Sequence, residues 1–381
     1  MSRPYVMTFA DAIQRAVAFL RGGGDSYAQD EIYQAVQSAY MEVWQARNWK
    51  YLWTYGRINT VQPYQEGTIE YDAGTRQVTL SGGTWPDWAR YGTIRIANVL
   101  YNVAEKVSPT VVTLEATQAP TESIAAGTSY TLFRAIYTLP ADFQRVFGFS
   151  AEDHWCDLRL VDLREWMRWQ RQTRSTGTPT SVAIGPDPDV LGQFAIYLYP
   201  APEAARSIDF MYLRKARPLM ISGEAEAHSQ GTITANGTTT ITGTGTLFSD
   251  AMVGSILRIG TGNKVPQSWG SRNPPWDERV IVAVNSPTSI TVDANVPAIS
   301  GVKYVVSDPV DLDESLINYF DAAIKRQLML HQNREWQELR GLEVLYDSAK
   351  RSAFEADNRY DGPRHAGPRD TRVPWVWGFT R

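Results

Sequence analysis

Cysteine is all but missing from this chain. Cys156 stands alone, which excludes an intrachain disulfide framework and any multi-cysteine zinc site. Histidine is scarce as well. His154, His228, His331 and His365 are scattered, without H-E-x-x-H spacing, so no metal centre is expected. Cys156 reads as a structural residue rather than a nucleophile. Net charge is small, -4 at pH 7, whereas a general nucleic-acid binder carries a strongly basic surface. The chain has no G-x-x-x-x-G-K-[ST] cradle and no G-x-S-x-G elbow. Gly243, Gly245, Gly260 and Gly262 read as turn glycines. Asp187 and Asp189 sit among prolines and read as turn chemistry rather than a glycosidase pair. Residues 1–20 hold Asp11, Gln14 and Arg15, and read as neither a signal peptide nor a membrane span. No cofactor and no enzymatic role are expected.

What is present is bulk and aromatic surface. With 381 residues, 43% of them hydrophobic, the chain can fill two or three cores. It carries 13 Trp, 19 Tyr and 12 Phe. Aromatic wealth with little charge points to extensive protein–protein surface or sugar contacts.

The chain opens as helix. Thr8 and Asp11 have capping-box spacing, and Gly22, Gly23 and Gly24 end that helix after Arg21. A second helix carries Ile32, Val36, Ala39, Val43 and Ala46 on one stripe. Tyr40 and Trp44 lie off it, so this helix has a second neighbour, in its own fold or in another subunit. Residues 67–133 change to short alternating strands, and residues 231–307 repeat them. Ser108, Pro109 and Thr110 recur as Ser286, Pro287 and Thr288. Gly67, Gly92, Gly127 and Tyr130 recur in order as Gly231, Gly254, Gly301 and Tyr304. Two copies at this period are duplicated small domains, not a solenoid. The second copy holds an added loop, residues 263–279, with Trp269 and Trp276.

Between the repeats, residues 161–172 read as a helix with Arg164, Arg168 and Arg171 on one side. Residues 181–184, 194–199 and 208–213 read as strands of one antiparallel sheet. After the second repeat, residues 312–356 lack proline and would form a helix of roughly 65 Å if unbroken, with a bend near Gly341 or an intersubunit role. Residues 357–381 read as an extended tail. The expected fold is α+β. A helical core with a small antiparallel sheet, from residues 1–60, 139–220 and 308–356, is interrupted by two duplicated barrel- or sandwich-like β domains. A long C-terminal helix and the tail follow.

Three groups of side chains are candidates for contact with partners. In the tail, Arg369 and Arg372 precede Trp375, Trp377 and Phe379. Left in water, such rings forgo roughly 25 cal/mol per Å² of apolar area, so they are expected to dock on another molecule. Trp269 and Trp276 form a candidate contact loop, with a sugar-stacking face as the rival reading. Tyr40, Trp44, Arg164, Arg168 and Arg171 are candidates for a subunit interface.

One set of motifs is familiar. Leu139-Pro140-Ala141-Asp142-Phe143 precedes the arginine-bearing helix. Gly177-Thr178-Pro179, Tyr197-Leu198-Tyr199-Pro200-Ala201-Pro202 and Tyr212-Leu213-Arg214 follow, and then a helix after Asp311. This pattern resembles the head-to-tail adaptor (connector, neck) proteins of tailed bacteriophages. The resemblance implies a structural virion protein, assembled in the bacterial host cytoplasm, that forms a homo-oligomeric ring, commonly a dodecamer. Such a ring joins the portal protein to other neck or tail proteins and extends the DNA channel, with no membrane and no cofactor. DNA would pass without sequence-specific binding, and mild negative charge suits a wall that must not hold phosphates. The tail would reach the portal or a neighbouring subunit, and Trp269 and Trp276 would face tail or capsid. The β repeats fall outside the adaptor pattern and read as decoration. The alternative is a carbohydrate-binding or depolymerising phage tail protein.

Overall fold

The computed structural model describes residues 7–23, 29–151, 158–172, 176–331 and 336–359. They form a mixed fold, mostly β-sheet. Five helices occur among the described residues: α1 (Phe9–Gly23), α2 (Gln29–Gln45), α3 (Leu163–Gln172), α4 (Ile317–His331) and α5 (Trp336–Arg359). The chain divides at Tyr51/Leu52 and again at Lys215/Ala216 into two compact units.

The unit formed by the chain up to Tyr51 and from Ala216 onward, called outer because it flanks the other in sequence, holds α1, α2, α4 and α5; Leu52–Lys215 is the inner unit. The Thr8 amide donates to Asp11 Oδ2 (3.0 Å) and the Asp11 amide donates to Thr8 Oγ1 (3.4 Å). This reciprocal box satisfies two of the amide groups orphaned at the start of α1. On α2 the stripe Ile32, Val36, Ala39 and Val43 is buried, and so are Tyr40 and Trp44. The second neighbour of α2 is therefore its own chain. The Tyr40 hydroxyl donates to the Arg217 carbonyl (3.0 Å), and its ring meets Phe320 of α4 edge-on.

The single C-terminal helix is corrected. Asp313 caps a short 3-10 turn, accepting from the Ser315 amide at 3.0 Å, and α4 follows and ends at His331. Gly341 lies inside α5. The Tyr319 and Tyr346 hydroxyls are 3.0 Å apart, and Arg326 Nε donates to Glu343 (2.8 Å). Along one continuous helix Tyr319 and Tyr346 would stand about 40 Å apart. Instead, α5 packs antiparallel to α4.

The outer unit also holds a seven-stranded sheet. Its spatial order is Ile299–Val302, Thr232–Ala235, Thr240–Thr244, Ser289–Val292, Asp277–Ser286, Ile256–Ile259, Tyr304–Ser307. The inner unit holds another, ordered Ile124–Thr128, Thr68–Asp72, Gln77–Ser81, Val111–Leu114, Val99–Lys106, Thr93–Ile96, Tyr130–Phe133. The two orders are the same. In each, the two edge strands are consecutive in the chain, separated only by Lys303 or Ser129. That brings the edges together as a nearly closed barrel, which leaves little edge exposed. Inward residues alternate along the strands, such as Ile233, Ile241 and Ile290 in one and Ile69, Val78 and Val112 in the other.

The matched sequence anchors occupy matched places. Gly67 and Gly231 have φ of +74° and +80°, and a Cβ on either would sit 2.2 or 2.3 Å from a partner-strand carbonyl oxygen. Only glycine fits there. The Tyr130 hydroxyl donates to the Glu66 carbonyl, and the Tyr304 hydroxyl to the Gln230 carbonyl, both at 2.8 Å.

Besides α3 and a two-stranded parallel pair, Thr176–Gly177 with Ala201–Pro202, the rest of the inner unit is two facing sheets. In one, Ser207–Arg214 lies between Trp53–Asn59 and Phe143–Ala151, all antiparallel. The other is ordered Arg159–Val161, Ser181–Pro186, Phe194–Tyr199, Ile136–Thr138. The strands expected to share one sheet are thus split, with Ser207–Arg214 leaving the other two. Phe149, Ile208 and Phe210 from the first sheet pack with Val182, Ile196 and Leu198 from the second in one core. Burial of that shared core, rather than proximity in sequence, decides the pairing.

No helix among the described residues is long and apolar enough to cross a membrane.

Candidate interaction surface

The three-stranded sheet covers only one of its faces. In a strand, alternate side chains point to opposite sides, and Trp53, Tyr55 and Arg57 share the side away from the core. Register sets Leu213 beside Trp53, Met211 beside Tyr55 and Asp209 beside Arg57. On a strand across Ser207–Arg214 from Trp53–Asn59, a register shift between Val146 and Gly148 falls at Phe147, whose ring centroid lies 4.5 Å from that of Trp53. Trp53 is 40% exposed, Tyr55 59%, Phe147 43% and Met211 46%. Large side chains gathered like this mark an interaction site more often than scattered ones do.

Polar groups close one end of the patch. Arg57 Nε donates to Asp209 Oδ1 (2.6 Å), and Arg57 Nη2 donates to Asp209 Oδ2 (3.2 Å) and to the Tyr55 hydroxyl (2.8 Å). The Arg57 hydrogen bonds hold the Asp209 carboxyl below the usual carboxylate range, while Asp209 raises the Tyr55 hydroxyl. The two charges cancel locally and leave a neutral, aromatic surface. Among the described residues, Trp53–Asn59 is an edge strand, paired on one side only. It carries no Lys and no Pro, two of the residues that usually blunt such an edge.

The residues expected at interfaces fall in both units and in segments outside the described residues. Arg164 and Arg168 are exposed on α3, and the side chain of Arg171 lies outside the described residues. The opposite face of α3 explains the alternation of arginine with tryptophan. Trp166 Nε1 donates to the Leu198 carbonyl (3.0 Å), and the Trp169 ring lies 5.1 Å from that of Tyr199. Tyr40 and Trp44 are buried within their own chain, the first of the two neighbours left open for this helix. Arg369, Arg372, Trp375, Trp377 and Phe379 lie outside the described residues, as do His154, Cys156 and His365.

Trp269 and Trp276 are exposed, on a segment folded over itself. Within it the Gln267 amide donates to the Asn273 carbonyl (2.9 Å), and Asn273 Nδ2 donates to the Val265 carbonyl (2.8 Å). The segment ends before its expected bound at Arg279, because Asp277 already begins a strand. Glu278 and its neighbour Arg279 are buried. Glu278 accepts from Arg258 Nε (2.7 Å), and Arg258 also pairs with both oxygens of Asp11 (2.7 and 2.6 Å). The guanidinium is 1% exposed, so two carboxylates and one cation tie α1 to the barrel of the outer unit.

Asp187 does turn chemistry, with Oδ1 accepting from the Asp189 and Val190 amides (2.8 and 3.0 Å). Burial raises the Asp189 carboxyl, and the Asp187 charge adds to it. Among the described residues, no group of three or more His, Cys, Asp or Glu side chains could hold a metal ion.

Trp44, Trp49, Tyr51, Trp53 and Tyr55 form one aromatic cluster along the sequence. The fold divides that cluster. Trp44 and Trp49 are buried, and Trp49 Nε1 donates to the Val43 carbonyl (2.9 Å). Trp53 and Tyr55 face outward. The signal for that division was the W-x-Y-x-R alternation of Trp53, Tyr55 and Arg57. Phe147 and Met211 left no comparable signal. No protein-family model, curated protein or solved structure matches the chain.

Proposed function

We propose that this chain is a structural subunit of a tailed-phage neck, a head-to-tail adaptor that forms a ring and joins the portal to the tail. The observation that carries the reading is the uncovered aromatic face of the three-stranded sheet. Trp53, Tyr55, Phe147 and Met211 gather exposed apolar surface on one sheet face, the kind of patch that marks interaction sites, and identical neighbours are the natural cover. The adaptor-like motifs from Leu139 to Arg214 all lie in the inner unit that carries this face. In this reading the two barrels are duplicated domains that decorate the adaptor. The segment holding Trp375, Trp377 and Phe379 is an arm that engages another molecule, and DNA slides through the channel without base contacts.

The test is to locate the chain in purified virions by mass spectrometry, and to image the neck by cryo-EM. The expected result is a ring of many copies with a central hole, beneath the portal. Absence from virions, or a lone particle that cleaves polysaccharide, would end the proposal. The exposure of Trp269 and Trp276 favours one rival, a carbohydrate-binding or depolymerising tail protein. Glycan binding abolished by Trp269→Ala with Trp276→Ala would select it.

A further inference from the structure

The aromatic sheet face and the segment after α5 have complementary patterns. Val373, Trp375, Trp377 and Phe379 fall on every second residue, which is the period of a strand with one apolar face. The exposed strand Trp53–Asn59 has the same period, with Trp53 and Tyr55 on its outer face and an unpaired edge. An edge of this kind is a template for strand addition, in which main-chain hydrogen bonds supply affinity and alternate side chains supply specificity. Aromatic side chains on neighbouring strands are among the favoured cross-strand pairs. Cancellation of charge between Arg57 and Asp209 removes the electrostatic selectivity that would favour a charged ligand. An apolar strand is the occupant that suits the site.

We propose that the segment around Trp375, Trp377 and Phe379 of a second copy adds as a strand along Trp53–Asn59 and lays its rings over Trp53 and Tyr55. The proposal rests on reading that segment as an intermolecular arm. Residues 360–374 separate Arg359, the last residue of α5, from Trp375. Extended, they span up to about 50 Å, which is enough to reach a neighbour. A contact between an arm and a different surface is heterologous, so its repetition closes a ring where the rotation allows. Two copies pairing their Trp53–Asn59 edges with each other would stop at a dimer and leave the arm unused.

The experiment uses the full chain and a labelled synthetic peptide of residues 367–381. The acceptor carries Trp375→Ala, Trp377→Ala and Phe379→Ala, so its own arm is silent. The peptide should bind it saturably by fluorescence anisotropy. Adding Trp53→Ser with Tyr55→Ser, or separately Met211→Glu, should weaken binding at least about tenfold. These side chains are exposed, so circular dichroism and melting should stay unchanged, and two independent variants guard against misfolding of either. At high dilution the unsubstituted chain should bind the peptide as well as the silent-arm acceptor does.

No binding at millimolar peptide, or binding indifferent to the sheet substitutions, would overturn the proposal. So would an unsubstituted chain that refuses the peptide at high dilution, since its arm would then occupy its own sheet. Silent-arm copies that still dimerise through Trp53 would overturn it as well. Rings on virion necks without peptide binding would remove this seat and keep the neck reading. Peptide binding by a chain absent from virions would do the reverse.

Discussion

Arg258 is the residue whose loss should be felt most. It is buried between Asp11 and Glu278, and removing it strands two carboxylates in the interior. Arg258→Met should cost about 3–5 kcal/mol of unfolding free energy in urea titrations. Arg57→Ala breaks an exposed pair, with side chains 54% and 35% accessible, and should cost less than about 1 kcal/mol. His228 governs a pH response. Burial lowers its pKa from the ordinary value near 6.5, and the nearby Asp308 opposes that shift. Its Nδ1 accepts from the Gly223 amide (3.1 Å), a bond that a protonated ring cannot accept. The unfolded chain therefore binds the proton first as pH falls. The stabilisation is complete above about pH 6.5 and is lost as pH falls through the folded-state value. Melting temperature should drop between neutral and mildly acidic buffer, and His228→Gln should reduce that drop. Ala97 and Asn98 form the hairpin between Thr93–Ile96 and Val99–Lys106, with φ of 44° and 68°. Both values suit a two-residue turn of the primed kind, where alanine is strained. Ala97→Gly should stabilise by about 0.5–1 kcal/mol in the same titration.

That hairpin has a counterpart in the other barrel, and comparing the two decides what the added segment does. The closing pair Ile96↔Val99 corresponds to Ile259↔Asp277, with residues 260–276 between them. Replacing residues 260–276 with Asn-Gly should leave the outer barrel folded and shift its calorimetric melting by only a few degrees, while Trp269 and Trp276 vanish. Extending the deletion to Glu278 should instead unfold the unit, because it opens the Arg258 network. The barrels were legible as a repeat because glycines with positive φ and a hydrogen-bonded tyrosine tolerate no substitute, so the same letters recur. Strand order was not legible, since it depends on pairings far apart in the chain. The packing of α5 back against α4 was hidden for another reason. No Pro falls in residues 312–356, and tertiary contacts of Tyr346 with Tyr319 and Glu42 decide what local propensity leaves open. For the sheet face, the alternation of Trp53 and Tyr55 was visible, but Phe147 and Met211 join them only through register.

At the scale of the molecule, the inner unit is an insertion. Its first and last strands pair, Trp53 opposite Leu213, so its two ends lie side by side, as domain insertion requires. Excising residues 52–215 and joining Tyr51 to Ala216 with a short Gly-Ser linker should leave the outer unit folded. The excised piece should fold on its own, as circular dichroism and limited proteolysis of each would show. The adjacency of Trp53 and Leu213 also settles how the insert answers a mechanical pull. Tension reaching it from the flanking chain draws both strands apart from the same end. The bonds between them then fail one after another, like a zipper, instead of resisting together in shear. During any step that strains the chain lengthwise, this seam is where the inner unit would give way first.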